Sequence, residues 1–328
     1  MYFTFNNIKL FSILSVVPKK KFQINKKEET DHLKRIKKVI GVKKSYKVNA
    51  KDNISDLFFF SAQRILKENK LNKDNIKIII CVTQTPDYTM PSTSNMLHEK
   101  LGLNKDCLAF DLNQGCSGYI YGLLAINSIL SNIKNGFGIL LSGDLMSKTI
   151  PGKDIGNKLL FGDGVSASLI QNKKNNFSFF KLGSAGFGSE MLTLRESGIS
   201  TSSKKTNFFM DGKEVFSFAL KSIPILISDL KNKYKIKDKD ISHYIFHQAN
   251  KMMLDKIFQI LKVPVKKRLF SIANYGNTSS ASIPITLCKS KRKKMKKCII
   301  SGFGAGFSFG AAYLDLSKTK ISKIYKYE

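Results

Sequence analysis

Short apolar runs alternate along the chain with longer stretches of helical period. Ile76 to Val82, Cys107 to Leu112 and Phe137 to Leu141 have strand length, whereas Asp56 to Glu68 and Tyr119 to Ile133 have helical length and periodicity. This alternation predicts α/β layering. Ile8 to Val17 is apolar but interrupted by Lys9, Ser12 and Ser15, and it is shorter than a membrane span. It lacks the charged start and small-residue cleavage site of a signal peptide, so it reads as a first buried strand closed by Pro18.

The second half repeats the theme, with strands at Tyr244 to Phe246 and Cys298 to Ser301 and helices at Met252 to Lys262 and Ile283 to Cys288. The halves also end alike. Gly138 to Asp144 leads to Phe161-Gly-Asp-Gly-Val-Ser-Ala-Ser168, and Cys298 to Gly302 leads to Phe307-Ser-Phe-Gly-Ala-Ala312, each an apolar strand and then a Gly-rich turn into a second strand. A polar cluster at Asn172 to Asn176 places the seam, dividing the chain into 1–172 and 173–328. No low-complexity linker separates the halves, so they are expected to pack as one body.

Composition narrows the picture. A chain of 328 residues with 42% hydrophobic residues can bury a large core. The formal charge of +31 would attract an acidic partner, but the lysines are spread over nearly every segment, as on a solvated surface. The densest basic run, Lys289 to Lys297, has no interleaved aromatics and reads as a charged turn rather than a nucleic-acid platform. Neither nucleic-acid binding nor membrane insertion is expected. The five cysteines are odd in number and form no C-x-x-C pair, which indicates neither a disulfide scaffold nor a metal site and fits a reducing, cytoplasmic setting.

Cys116 lies in Asp111-Leu-Asn-Gln-Gly-Cys-Ser-Gly-Tyr119, after a strand and before a helix expected to begin near Ser117. A thiol there would feel the positive end of the helix and free N–H groups, which lower its pKa. His247 follows a strand in Tyr244-Ile-Phe-His-Gln-Ala-Asn250, and Asn277 precedes a helix in Asn274-Tyr-Gly-Asn-Thr-Ser-Ser-Ala-Ser282. Taken alone, each is more often structural: a small buried hydrophobe, a structural imidazole and a helix cap, respectively.

Taken together, the segments Gln114-Gly-Cys-Ser-Gly-Tyr, Leu160-Phe-Gly-Asp-Gly, Met210-Asp-Gly-Lys-Glu-Val-Phe, His247-Gln-Ala-Asn, Tyr275-Gly-Asn-Thr-Ser and Gly302-Phe-Gly-Ala-Gly-Phe resemble the β-ketoacyl-acyl-carrier-protein synthase III family of the thiolase superfamily, in family order over nearly the whole chain. The resemblance implies a five-layered α-β-α-β-α fold from two duplicated halves, and a homodimer. It implies that Cys116 carries an acyl group as a thioester. A carbanion from decarboxylation of malonyl on acyl carrier protein then attacks that group, while His247 and Asn277 donate to the developing enolate oxygen. Backbone N–H groups of Cys116 and Ala305 would form the oxyanion hole, with Ala305 where the family usually has Gly. No tightly bound cofactor is implied, since the substrates carry their own phosphopantetheine.

Some positions depart from the family pattern. The tryptophan that stacks on coenzyme A is absent, and Arg35, six residues before Gly41, takes its place; Lys213 and Met252 replace an Asn and an Arg. These changes favour a carrier protein over coenzyme A as donor, and Arg35, Lys213, Asn250, Lys251 and Lys256 are expected at the tunnel mouth, where basic residues would steer an acidic carrier protein. Met90, before Pro91, matches the residue that reaches the partner subunit's acyl pocket. Two alternatives stay open. One is an acyltransferase that passes the acyl group to a hydroxyl or amine; the other is a non-catalytic partner subunit, which would have no need of Cys116.

Overall fold

A computed structural model describes residues 1–23, 30–174, 176–195 and 207–328. The first half runs β1 (Tyr2–Phe5), β2 (Ile8–Pro18), β3 (Lys21–Phe22), α1 (Asp31–Ile40), β4 (Ser45–Tyr46), α2 (Ile54–Asn69), β5 (Ile76–Val82), α3 (Thr93–Leu101), β6 (Leu108–Leu112), α4 (Gly118–Leu130), β7 (Phe137–Asp144), α5 (Ile155–Leu160) and β8 (Gly164–Asn172). The second runs β9 (Ser178–Ser184), β10 (Leu192–Arg195), β11 (Asn207–Met210), α6 (Gly212–Lys233), β12 (His243–Phe246), α7 (Lys251–Ile260), α8 (Ile272–Tyr275), α9 (Ser282–Lys289), β13 (Lys297–Gly304), β14 (Ser308–Asp315) and β15 (Lys320–Tyr327).

Two sheets carry the fold, ordered β15-β2-β8-β7-β5-β6 and β1-β9-β14-β13-β12. The change from one to the other falls between β8 and β9, but the outermost strands cross: β1 pairs with β9, and β15 pairs with β2. The α4 and α9 helices lie between the sheets, and their apolar residues join one core with both, among them Tyr119, Ile120, Leu123, Ile283, Val82, Ile13, Ile300 and Ala312. Outside, α2 and α3 cover the first sheet and α6 and α7 cover the second. The layers therefore run α-β-α-β-α, the thiolase-like architecture.

Local chemistry explains the helix bounds. Thr30, Ser92, Asp211 and Asn250 accept from first-turn N–H groups of α1, α3, α6 and α7, and Gly41 and Gly102 close α1 and α3 with φ of 71° and 59°. Because α4 has a sheet on each side it is apolar all round, which is why a single-faced helical period is weak there. Its Gly122 permits close contact: a Cβ would lie 2.6 Å from Leu140 Cδ1 and 2.9 Å from Val82 Cγ2. No described helix is long and apolar enough to cross a membrane.

Candidate active site

Cys116 sits in the turn from β6 to α4, with Ser117 as the N-cap residue, so the helix begins two residues beyond the thiol. The end of β13 presses on it from the other sheet: a Cβ on Gly304 would lie 2.6 Å from Cys116 Cβ and 3.3 Å from Sγ. Only glycine leaves room for the thiol at that contact. Sγ donates to Ser279 Oγ at 3.9 Å. The helix start was expected to lower the thiol's pKa, but the balance runs the other way. Burial pushes the Cys116 thiol up to about 12 and the Asp144 carboxylate adds to the rise, against smaller favourable effects of the Ser279 hydroxyl and a backbone N–H. That direction favours the protonated thiol at Cys116.

Asn277 is buried, with its backbone held by Leu160 and Gly162. Its Oδ1 accepts from Ser279 N at 2.9 Å, which leaves the Nδ2 donors for another partner. His247, at the end of β12, is also buried, and its Nδ1 lies 2.7 Å from Ser282 Oγ. Burial drives its pKa down to about 3, opposed only by the Ser279 backbone, so the imidazole is neutral. One turn thus joins all three predicted groups: Ser282 holds His247, and Ser279 meets Asn277 through its N–H and Cys116 through its hydroxyl. The φ of Ser279, 49°, is in the left-handed region, unusual for a non-glycine residue.

A cavity of about 270 Å³ opens beside the thiol, lined by Cys116, Ser279, Ala305, Gln84, Asn113, Met146, Leu192 and Phe208 among others. Two other motif residues prove to be braces. Asp163, of the Leu160-Phe-Gly-Asp-Gly run, is fully buried and accepts from Val48 N and Ser147 N, each at 2.9 Å. Gln248 Oε1 accepts from Ser271 N at 2.7 Å and Ile272 N at 3.1 Å, pinning the start of α8.

The basic residues do not share the cavity with Cys116. Lys251 and Lys256 line a separate groove of about 420 Å³ between α1 and α7, with Lys38, Val39 and Met252. Lys251 pairs with Asp255 and lies 4.9 Å from the Phe270 ring centre. Arg35 and Lys213 are exposed on α1 and α6, outside that groove's lining. Asn250 Oδ1 caps α7 by accepting from Met253 N at 2.8 Å. Met90 is 83% exposed and does not line the cavity of its own chain.

Residues 110–186 match the sequence family described as 3-oxoacyl-[acyl-carrier-protein (ACP)] synthase III, and residues 230–316 match its C-terminal family. A β-ketoacyl-[acyl-carrier-protein] synthase III of Clostridium perfringens is 33% identical over 288 residues, spanning 84% of this chain and 88% of that protein. A Campylobacter jejuni protein provisionally named 3-oxoacyl-[acyl-carrier-protein] synthase 3 is 34% identical over 348 aligned positions and 98% of each chain. The chain belongs to the β-ketoacyl-[acyl-carrier-protein] synthase III family. The crystal structure of a 3-oxoacyl-(acyl-carrier protein) synthase from Burkholderia xenovorans superposes with a TM-score of 0.95 at 27% identity, covering 100% of this chain and 99% of that one. The synthase III of Thermus thermophilus does so with a TM-score of 0.82 at 26% identity, covering 94% and 98%. As a synthase III the protein is a condensing acyltransferase of the fatty-acid-synthesis type. Two residues of this synthase that act on the thiol, Ser279 through its hydroxyl and Asp144 through its charge, carry no chemical signal of their own in the sequence. Ser279 reads as one more hydroxyl of a helix-capping run, and Asp144 as the polar end of a strand.

Proposed function

We propose that Cys116 takes up an acyl group as a thioester and that the enzyme condenses it with malonyl on acyl carrier protein, releasing carbon dioxide. The turn from Asn277 to Ser282 carries this reading, because Ser279 bonds Cys116 and Asn277 and Ser282 holds His247, which gathers a nucleophile and two uncharged donors around one turn. In the first half-reaction Cys116 Sγ attacks the donor thioester, and the N–H groups of Cys116 and Ala305 bind the tetrahedral oxyanion. In the second, Asn277 Nδ2 and the neutral His247 donate to the malonyl thioester oxygen as carbon dioxide leaves. Neither can protonate the carbanion as a strong acid would, so it survives to attack the acyl carbon.

The substrates arrive on phosphopantetheine, and no tightly bound cofactor takes part. An acidic carrier protein docks on the face bearing Arg35, Lys213, Asn250, Lys251 and Lys256. The working unit is a cytoplasmic homodimer of two-half subunits, 1–172 and 173–328. Among the described residues strand β6 ends its sheet with β5 as its neighbour, and the exposed Tyr88 and Met90 precede Thr93, whose N–H donates to Asp111 of β6 at 2.6 Å. Met90 would reach the partner's acyl pocket from there.

The test is intact-mass analysis after incubation with acyl-carrier proteins and acyl-coenzyme A esters, followed by malonyl-carrier protein. The expected result is one acyl adduct on wild type, none on Cys116→Ala, and carbon dioxide release with a β-ketoacyl product. An acyl adduct on Cys116→Ala would remove the nucleophile assignment. Transfer to a hydroxyl or amine without carbon dioxide release would replace condensation by simple acyl transfer.

A further inference from the structure

The cavity beside Cys116 has a mixed lining. Met146, Phe161, Leu192 and Phe208 make much of it apolar, and Gln84, Thr85 and Thr149 bring polar side chains to it. Neither His247 nor Asn277 lines it, whereas Cys116 does. It is therefore room for the acyl group on the thiol rather than for the malonyl thioester that those two donors would hold. At about 270 Å³ it suits a short chain.

The polar side chains of the lining differ in how far the protein satisfies them. Thr149 Oγ1 donates to Met146 O at 3.0 Å, and Thr85 Oγ1 accepts from Leu145 N at 2.9 Å. Asn113 also lines the cavity but is exposed, so water serves its amide. Gln84 and Thr193 are half-buried, and their side chains have no hydrogen bond among the described residues. Of these two, Gln84 is tied to the nucleophile's turn. Its backbone N–H donates to Asp144 Oδ1 at 2.6 Å, and a Cβ on Gly115, the residue before Cys116, would lie 2.2 Å from its Oε1 and 3.7 Å from its Nε2. The amide thus packs directly on the bare Gly115 backbone. Since consecutive Cα atoms are about 3.8 Å apart, it lies within roughly 8 Å of Cys116 Cα, level with the first carbons of a chain on Sγ. An amide placed there is paired by whatever enters the cavity, and a hydrocarbon that displaces water leaves it unpaired.

We propose that Gln84 selects the acyl group: the enzyme takes a short hydroxyacyl chain, with its hydroxyl on carbon 2 or 3, in preference to a plain hydrocarbon chain. The proposal rests on Cys116 being the acyl carrier. A hydroxyl matches the amide in kind, since each both donates and accepts, whereas a carbonyl only accepts. A hydrocarbon of the same length strips water from the amide and puts nothing in its place. A site built to bond a hydroxyl rejects the analogue without one for that reason.

Single-turnover acylation of Cys116, read by intact mass, tests this with carrier protein loaded with butyryl, 2-hydroxybutyryl or 3-hydroxybutyryl, both enantiomers of each hydroxy acid being used. Wild type should take one of the hydroxyacyl groups about tenfold faster than butyryl, the scale of one neutral hydrogen bond. Gln84→Met keeps the length of the side chain and removes the amide, and it should bring that ratio to near one. Because the readout is a ratio on one protein, a general loss of activity or of folded enzyme cancels. If Gln84 only fills the space beside Gly115, the ratio would be the same in both proteins. Wild type that takes butyryl as fast as every hydroxyacyl group, or a preference that survives Gln84→Met, overturns the proposal. The first of these outcomes is read on wild type alone, which keeps the test available if the variant fails to fold. Absence of any adduct on wild type, whatever the chain, would instead remove the functional reading on which the proposal rests.

Discussion

Burial sets the protonation of His247, and this has measurable consequences. With His247 held down to about 3, the imidazole stays uncharged throughout the neutral range, and decarboxylation should have no limb from this residue there. The sign for stability follows. The unfolded histidine takes a proton near about 6.5 whereas the folded one does not until about 3, so this residue's contribution to stability is full above the higher value and is lost as pH falls between them. His247→Ala and Asn277→Ala should each cut malonyl decarboxylation by about a hundredfold, the scale of a lost oxyanion donor, while leaving Cys116 acylation largely intact. Carbon dioxide release and intact mass measure the two halves separately, and equal loss of both would assign acid–base activation of the thiol to these residues. The three groups could be found from sequence because each lies in a motif at a strand end or helix start. Ser279 closes the motif that holds Asn277, yet neither it nor Asp144 has a role legible there, because what singles them out is a left-handed turn and an unpaired buried oxygen, both produced by tertiary packing.

At the scale of elements, segments with an uninterrupted apolar run or helical period were legible, and those whose pattern is broken or has no polar face were displaced or overlooked. Strand β5 matches its predicted span, and α2, α7 and α9 differ from theirs by a residue or two at their ends, where capping decides. The α4 helix stops at Leu130, three residues before the predicted end at Ile133, because the N–H groups of Asn132 and Ile133 bond three residues back, to Ile129 and Leu130, and the helical ladder ends. The α6 helix was not anticipated, since Pro224 interrupts its pattern; the proline is buried within the helix. The two-sided packing of α4 makes Gly122 a sensitive point. Gly122→Val would force a side chain against Leu140 and Val82, and the expected loss is about 1–3 kcal/mol, the usual cost of overpacking a core. Denaturant unfolding would measure it, and an unchanged midpoint would mean that the sheets yield at this contact.

Over the whole molecule, a charge of +31 spread across many segments makes long-range attraction for an acidic carrier protein stronger than for a small ester. Carrier-bound acyl groups should therefore prime Cys116 with a higher specificity constant than the same groups on coenzyme A, and their rate should fall with added salt. Without an aromatic stack, coenzyme A loses roughly 1–3 kcal/mol by analogy with base stacking on other proteins, up to about a hundredfold in affinity. Lys256→Glu is a cleaner probe than Lys251→Glu, since Lys256 is exposed whereas Lys251 is paired with Asp255. It should slow carrier-protein priming more than coenzyme A priming; equal or better priming by coenzyme A would mean that Arg35 has taken over the stacking contact. The crossed outer strands have a different kind of consequence. Because β1 runs beside β9 and β15 beside β2, a cut in the backbone between β8 and β9 would leave each fragment holding a strand of the other's sheet. Residues 1–174 and 175–328 produced as separate chains should accordingly assemble into a split enzyme that copurifies and still acylates Cys116, and fragments that stay apart on size-exclusion chromatography would mean that the covalent crossing is needed to bring the strands together.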